Sequence, residues 1–368
     1  MPFADELIGP SVADALYRGV REVSPDADLT DLSEAASKLG PLTLSARASV
    51  LGDALVAGLP GDYGSFATAI RELNHRGGVT GWAVWPVTSA VTQKALDDAN
   101  TAAFDDGLEL LAELTGLLTS EFAIRGFLRH DLDRSLAAIT QWTDSPDEHV
   151  RRLASEGTRL YLPWAVRIPE LRERPGVTVP ILDRLYLDPS EYVRRSVANH
   201  LNDLSRDEPL IVVDTAQRWL ANPDENTPRL VRHALRTLIK KGHPGAMELL
   251  GFGPVSLAVD GPALDRHEVP FGEAVTFTAS IRNIGDDAAR LSVDYIVHHV
   301  KANGSLTGKT FKLTTRALEP GEVMTVERTH SFRAITTRRY YPGTHAIELQ
   351  LNGIPSGRVD FELLAPPA

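Results

Sequence analysis

The stretch Ser145-Pro146-Asp147-Glu148-His149-Val150-Arg151-Arg152-Leu153-Ala154 recurs 43 residues further on as Asp188-Pro189-Ser190-Glu191-Tyr192-Val193-Arg194-Arg195-Ser196-Val197-Ala198. A weaker third copy begins at Asn222-Pro223-Asp224-Glu225-Asn226 and continues Leu230-Val231-Arg232-His233-Ala234-Leu235-Arg236. Each copy reads as a polar turn, a capping residue, proline in the first helical turn and acidic side chains that suit the positive pole of a helix. A period of this length, made of a turn and a helix, marks stacked helical pairs of the HEAT or armadillo kind, because one pair cannot bury its own apolar face.

On the N-terminal side, residues 1–118 also read as helices. Leu7, Val12, Leu16 and Val20, and the run from Leu44 to Leu55, follow a 3.6-residue period broken by Gly and Pro. No chemical motif stands out there. On the C-terminal side, after Gly251-Phe252-Gly253-Pro254, the period changes to 2. Segments near 255–259, 274–282, 291–299, 309–314, 323–332, 344–351 and 357–364 alternate apolar and polar residues, separated by turns such as Asn303-Gly304, Pro320-Gly321 and Asn352-Gly353. Seven short strands in this span predict a sandwich. The expected fold class is therefore multidomain α and β, a HEAT-like α-solenoid followed by an immunoglobulin-like β-sandwich. The expected divisions are 1–118, 119–252 and 253–368.

Composition narrows the chemistry. A chain of 368 residues, 43% hydrophobic, can bury two or three cores. It has no cysteine, which excludes disulfides, thiol catalysis and iron–sulfur clusters and fits a reducing compartment. The first residues lack a basic stretch followed by an apolar run, and no segment reaches the roughly 18 apolar residues that span a bilayer. The expectation is a cytoplasmic protein, in the bacterial cytoplasm or nucleoid, with no membrane partner. The net charge of −11 argues against nucleic acid only on average. Residues 1–118 carry 17 acidic side chains against 7 basic, whereas residues 119–252 carry 19 of each. Basic residues cluster in the repeats, so a local positive strip is compatible with an acidic whole. Stacking the repeats would set Arg151/Arg152, Arg194/Arg195 and Arg232/Arg236 in rows. The alternative is a solvated face with pairs such as Glu148–Arg152 and Glu191–Arg195 at i,i+4 spacing.

Metal-hydrolase, phosphate-loop, dinucleotide and nucleophile-elbow motifs are all missing. His298-His299 is a poor chelate, because neighbours on a strand point to opposite faces. His200 and His233 lie near arginines in the repeat helices, where a surface or phosphate contact is the expected role. Three residues resist a purely structural explanation. Asp203 closes the helix expected over 191–204, where the dipole disfavours an anion by about 0.3–1 kcal/mol; a local pair with Arg206 is the alternative. Trp164 emerges where Pro163 ends a helix, and core packing is the alternative there. Glu121 sits in the first turn of a helix expected over 120–130, where the dipole alone would explain it.

At these residues the chain resembles a known family, the AlkC branch of the AlkC/AlkD helical-repeat DNA glycosylases. The resemblance rests on Gly81-Trp82-Ala83-Val84-Trp85-Pro86, Thr119-Ser120-Glu121-Phe122-Ala123-Ile124-Arg125, the repeat pair, Arg159-Leu160-Tyr161-Leu162-Pro163-Trp164 and Ser196-Val197-Ala198-Asn199-His200-Leu201-Asn202-Asp203-Leu204. The last two strings are the most specific, and the sandwich with Tyr340-Tyr341-Pro342-Gly343-Thr344-His345 looks like the extra domain of one AlkC subgroup. The resemblance implies a monofunctional DNA glycosylase of base excision repair. It would hydrolyse the N-glycosidic bond of cationic alkylated bases, chiefly 3-methyladenine and 3-methylcytosine, without fully flipping the base. Such a base is already a good leaving group, so the chemistry needs no general acid and no cofactor or metal. It needs carboxylates beside an oxocarbenium-like sugar and a water. Glu121 and Asp203 are the implied carriers, with Trp164 offering a π face. The expected partner is double-stranded DNA carrying alkylated bases, bound by a monomer. Its backbone would be held by Arg151, Arg152, Arg159, Arg194, Arg195, Arg232 and Arg236.

In the sandwich, Arg338 and Arg339 sit in the loop Arg333-Ala334-Ile335-Thr336-Thr337-Arg338-Arg339-Tyr340-Tyr341, which reads either as a finger for the minor groove or as a plain connection whose Tyr packs as a corner. Two other functions compete with excision: a non-catalytic helical scaffold, or a structure-specific DNA-binding protein. Carboxylates at both 121 and 203 favour catalysis, since a pure DNA binder gains nothing from anions facing phosphate.

Overall fold

A computed structural model describes residues 4–59, 61–336 and 338–366. The chain forms two compact units, 1–234 and 235–368. The first is all helix. Its repeat helices, Glu148–Glu156, Glu191–Leu204 and Thr227–Ala234, pack side by side in chain order, and Val179–Leu185 and Pro209–Ala221 pack against them as their pair partners. The apolar stripe Val193, Val197, Leu201 and Leu204 is fully buried, as the i, i+4, i+8 spacing requires. Truncating Leu201 to alanine there would cost about 2–5 kcal/mol.

An aspartate starts each repeat helix. The Asp147 carboxylate accepts from His149 N (2.8 Å), that of Asp188 from Ser190 N (2.9 Å) and that of Asp224 from Thr227 N (2.7 Å). Pro146 and Pro189 precede these helices rather than lying in the first turn, which corrects the sequence reading; proline favours an extended residue before it and so marks the turn into the helix. Asp188 also stitches the first two repeats together, taking Arg151 Nε at 2.7 Å.

The second unit opens with two short helices, Arg236–Lys240 and Pro244–Leu249. The change of periodicity near 253 falls inside this unit. Arg290 joins the opening segment to the strands, donating to Leu250 O (3.3 Å) and stacking over Phe252. Among the described residues eight strands follow: β1 Leu257–Leu264, β2 Glu268–Val269, β3 Ala274–Asn283, β4 Ala289–Val300, β5 Leu306–Leu318, β6 Val323–Ser331, β7 Gly343–Leu351 and β8 Ile354–Leu363. They form sheets of order β1-β3-β6 and β2-β8-β7-β4-β5. Beyond the seven expected strands there is β2, two residues paired in parallel with β8. The β7–β8 hairpin turns on Asn352 (φ 47°) and Gly353 (φ 81°), the left-handed pair a two-residue turn needs.

The core between the sheets includes Phe277, Tyr295, Leu349 and Phe361. At one end His299, His330 and His345 are buried with Phe332 and Tyr340. Burial pushes the imidazole pKa of His299 down to about 3 and that of His330 to about 4, and lowers that of His345. His298, one residue before, turns to the other face and meets Glu348 at 2.7 Å, as strand alternation predicts. Among the described residues no helix is long and apolar enough to cross a membrane.

Candidate active site

Four segments of the helical unit bring together a row of alternating charges. Glu121 lies in the turn before helix Ile124–His130, not inside a helix as its sequence suggested, and accepts from Thr119 Oγ1 (2.9 Å) and Arg152 Nη1 (2.7 Å). Arg152 and Glu156 stand four residues apart on Glu148–Glu156, hence on one face, with Nη2 to Oε1 at 3.6 Å. Just past that helix, Arg159 reaches Glu156 Oε1 with Nη1 (2.5 Å) and Asp203 Oδ2 with Nε (2.9 Å). Ser196, on the same helix as Asp203, donates to the other oxygen of Glu156 at 2.6 Å.

The resulting order is Glu121, Arg152, Glu156, Arg159, Asp203. Among its three acids side-chain exposure falls from 12% at Glu121 to 8% at Glu156 and 3% at Asp203. Glu121 is therefore the carboxylate of the row most open to a ligand. Three carboxylates against two guanidiniums leave one net negative charge. Burial disfavours the charges on Arg152 and Arg159, but the flanking carboxylates outweigh it and hold both above the usual arginine range. Asp203 thus pairs with Arg159 rather than Arg206, whose guanidinium stacks 4.5 Å over the Tyr161 ring.

Trp164 is 67% exposed, which removes the core-packing alternative. It sits in an irregular segment rather than at a helix end, and its backbone is in the left-handed region at φ 62°, a conformation uncommon outside glycine that is kept only where surroundings enforce it. It lines an apolar cleft of about 500 Å³ with Leu7, Leu44, Trp82 and Trp85. Trp85 stacks at 4.3 Å on Phe122, the residue after Glu121, so the aromatic cleft adjoins the charged row.

The segment carrying Arg159 and Trp164 is held by Arg125, which is fully buried. Its Nε donates to Val166 O (2.6 Å), and Nη1 donates to Gly157 O (3.0 Å) and Arg159 O (2.9 Å). Burial, helped by Arg167 and Arg159, brings its pKa down to about 10, still charged at neutral pH.

The structure therefore unites Glu121, Asp203, Arg152 and Arg159 and places Trp164 in the adjoining cleft. It does not set the arginines out as open rows. Arg151 is tied to Asp188, while Arg152 and Arg159 lie inside the charged row. Carboxylates from neighbouring segments reach back to them, and one-dimensional spacing cannot show such contacts. Arg194 bonds Asp188 O at 2.5 Å, Arg195 and Arg232 are exposed, and Arg236 is half-buried. His200, expected at the surface, is fully buried between Ser155 O (2.9 Å) and Thr178 Oγ1 (3.0 Å), and burial lowers its pKa to about 3. In the sandwich loop Tyr340 is buried, Arg338 half-buried, and Arg339 exposed over the Tyr341 ring; Thr337 lies outside the described residues. Glu156 escaped the sequence reading, although an acid in the last helical turn is the same dipole anomaly that singled out Asp203. Among the described residues no group of His, Asp and Glu is arranged to hold a metal ion.

Comparison with known proteins gives three findings. A family model described as the C-terminal Ig-like domain of the uncharacterised protein YhaZ matches residues 258–365. YhaZ of Bacillus subtilis (strain 168) is 34% identical over 324 residues, 88% of each chain. The alkylpurine DNA glycosylase AlkC of Pseudomonas fluorescens, solved bound to DNA containing an abasic site analog, is 34% identical with a TM-score of 0.85, over 99% of this chain and 100% of that one.

Proposed function

The chain belongs to the family of AlkC and YhaZ, in the group with a C-terminal Ig-like domain, and from that membership we propose that it is a DNA-repair glycosylase that excises alkylated bases from duplex DNA. Its preferred substrates are cationic lesions, 3-methyladenine and 3-methylcytosine. The observation that carries this reading is the row Glu121–Arg152–Glu156–Arg159–Asp203, whose one net negative charge matches a single developing cation.

An N3-methylated base leaves as a neutral molecule, so the barrier lies in the oxocarbenium-like sugar. A carboxylate held in place beforehand stabilises that charge without reorganising, and a second can orient the attacking water. Glu121, the most open of the three acids, faces the sugar, and Asp203, fixed by Arg159, sets the charge behind it. Three unpaired carboxylates would repel the DNA backbone; two interleaved arginines reduce that repulsion and fix the acids in place. Trp164 and the indoles of the neighbouring cleft offer π faces to the cationic base, a contact worth about 0.5–2 kcal/mol. In this reading the base does not leave the stack fully. Arg338 and Arg339 supply a second contact to the duplex.

The test is direct. Methylated duplex DNA incubated with the protein releases free 3-methyladenine, detected by chromatography, and leaves an abasic strand. DNA bound without base release would assign the chain to the structure-specific binders instead.

A further inference from the structure

Aligning the three repeats on Val150, Val193 and Val231 shows that the third departs from the others in the sign of its charge two residues before the valine. Glu148 and Glu191 occupy the first turn of their helices, whereas the matching residue of the third repeat is Arg229. A cation in the first turn opposes the helix dipole, so this exchange is not a gain in helix stability. Each of the two glutamates reaches toward the next repeat. Glu148 accepts from Ser190 Oγ, and Glu191 Oε1 lies 2.7 Å from Arg229 and 3.4 Å from Arg195. Side-chain exposure is 78% at Arg229 and 64% at Arg195, in contrast to the enclosed Arg152 and Arg159.

These residues line an open cleft of about 380 Å³ between helices Glu191–Leu204 and Thr227–Ala234, together with Arg194, Asn226 and His233. Three guanidiniums against one carboxylate make it cationic. Asn226 and His233 add neutral polar groups at the rim, and His233 is already engaged by Asn199 at 3.1 Å. A cationic, polar, solvent-open cleft suits an anion with several acceptor oxygens, which arginine grips through two N–H groups at once. Glu191 already occupies that role, since its carboxylate draws both exposed arginines.

We infer that this cleft binds a backbone phosphodiester of the duplex, and that Glu191 is a built-in competitor that the phosphate displaces from Arg195 and Arg229. The inference rests on the DNA-directed reading above. It adds Arg229 to the residues that touch DNA and gives Glu191 a regulatory part: it lowers affinity for any duplex so that an acidic protein does not linger on undamaged DNA.

The experiment uses the full chain and a fluorescent undamaged duplex, with anisotropy read across a salt series. Glu191→Gln tightens binding about two- to fivefold, the scale of one exposed charge pair. Arg229→Gln weakens it by a similar factor and flattens the dependence of log affinity on log salt by about one unit. Opposite signs are the signature of competition. If the pair only braces the two helices, both variants lower the melting temperature and leave affinity and salt slope alone, which overturns the inference, as would shifts of the same sign. Base release by the wild-type protein, assayed in parallel, tests the glycosylase reading separately. Excision with neutral variants sinks only the cleft, whereas no excision with opposite-sign shifts sinks only the enzyme.

Discussion

Arg159 Nε donates to the carboxylate of Asp203, 44 residues away, at 2.9 Å, and neither side chain is more than a tenth exposed. This contact gives the acid at the end of helix Glu191–Leu204 its partner and explains why the unfavourable dipole is tolerated: a nearby buried guanidinium outweighs a cost of about 0.3–1 kcal/mol.

If the carboxylates stabilise the reacting sugar, removing their charge must act on rate rather than binding. Glu121→Gln and Asp203→Asn are each expected to slow excision of 3-methylated bases about 10²- to 10³-fold, the usual loss for one preorganised electrostatic contact. Affinity for DNA stays level or rises slightly, since an anion near phosphate is gone. Single-turnover rates like those of the wild type in both variants would remove them from the mechanism.

Arg152 and Arg195 occupy equivalent repeat positions but have different surroundings, so their alanine variants should separate. Arg152→Ala leaves Glu121 and Glu156 without their shared cation in a mostly enclosed site, and is expected to cost about 3 kcal/mol in urea unfolding and to slow excision. It should not change the salt slope of DNA binding. Arg195→Ala should be neutral in stability and flatten that slope by about one unit. A salt titration that gives both variants one slope would contradict this division.

Arg125 bonds none of the charged side chains of the row, yet through backbone carbonyls it ties down the segment that carries Arg159 and Trp164. Arg125→Met strands three backbone carbonyls and should destabilise the helical unit by about 3 kcal/mol or more. Limited proteolysis is then expected to cut between residues 157 and 168, and excision to fall further than DNA affinity. Arg125→Lys, with a charge but no fork of donors, should recover part of the stability and little of the protection.

Four histidines are held neutral by burial, with pKa near 3 for His200 and His299, near 4 for His330, and lowered for His345. In the unfolded chain they titrate near 6.5. Above that pH both states are neutral and stability is fully present. As pH falls below 6.5 the unfolded chain takes up protons that the native state refuses, and stability drops until pH nears 3–4. Each such histidine adds up to about 1.4 kcal/mol per pH unit to this slope. The melting temperature should therefore fall steeply between pH 6.5 and 4.5. His299→Phe, which fits an aromatic surrounding, should make that fall shallower; an unchanged slope would show that His299 is not held neutral.

The sandwich loop offers the exposed Arg333 and Arg339 and the half-buried Arg338 beside a buried tyrosine, Tyr340. Replacing Arg338 and Arg339 by alanine is expected to lower DNA affinity severalfold and to leave the melting temperature within about 1 °C, because surface substitutions away from packed features cost little. Full affinity in the double variant would return the sandwich to another role.

Much of this protein follows from local pattern. The proline-marked repeat predicts the helices Glu148–Glu156 and Glu191–Leu204, since capping, dipole and 3.6-residue spacing act within a few residues along the chain. The alternation after residue 253 likewise predicts the strands of the sandwich, and the acid at 203 was visible as a charge at the wrong end of a helix. What the charges do to one another was not legible. Arg151, Arg152, Arg195 and Arg159 look alike as basic residues of the repeats; only the stacking of helices decides that the first is tied to Asp188, the second and fourth divide three carboxylates, and the third stays exposed. Glu156 joined the site, His200 left the surface and Arg125 became a buried clamp for the same reason. Ion pairs and burial depend on distances between segments some 30 to 45 residues apart, and those distances exist only once the apolar faces have packed.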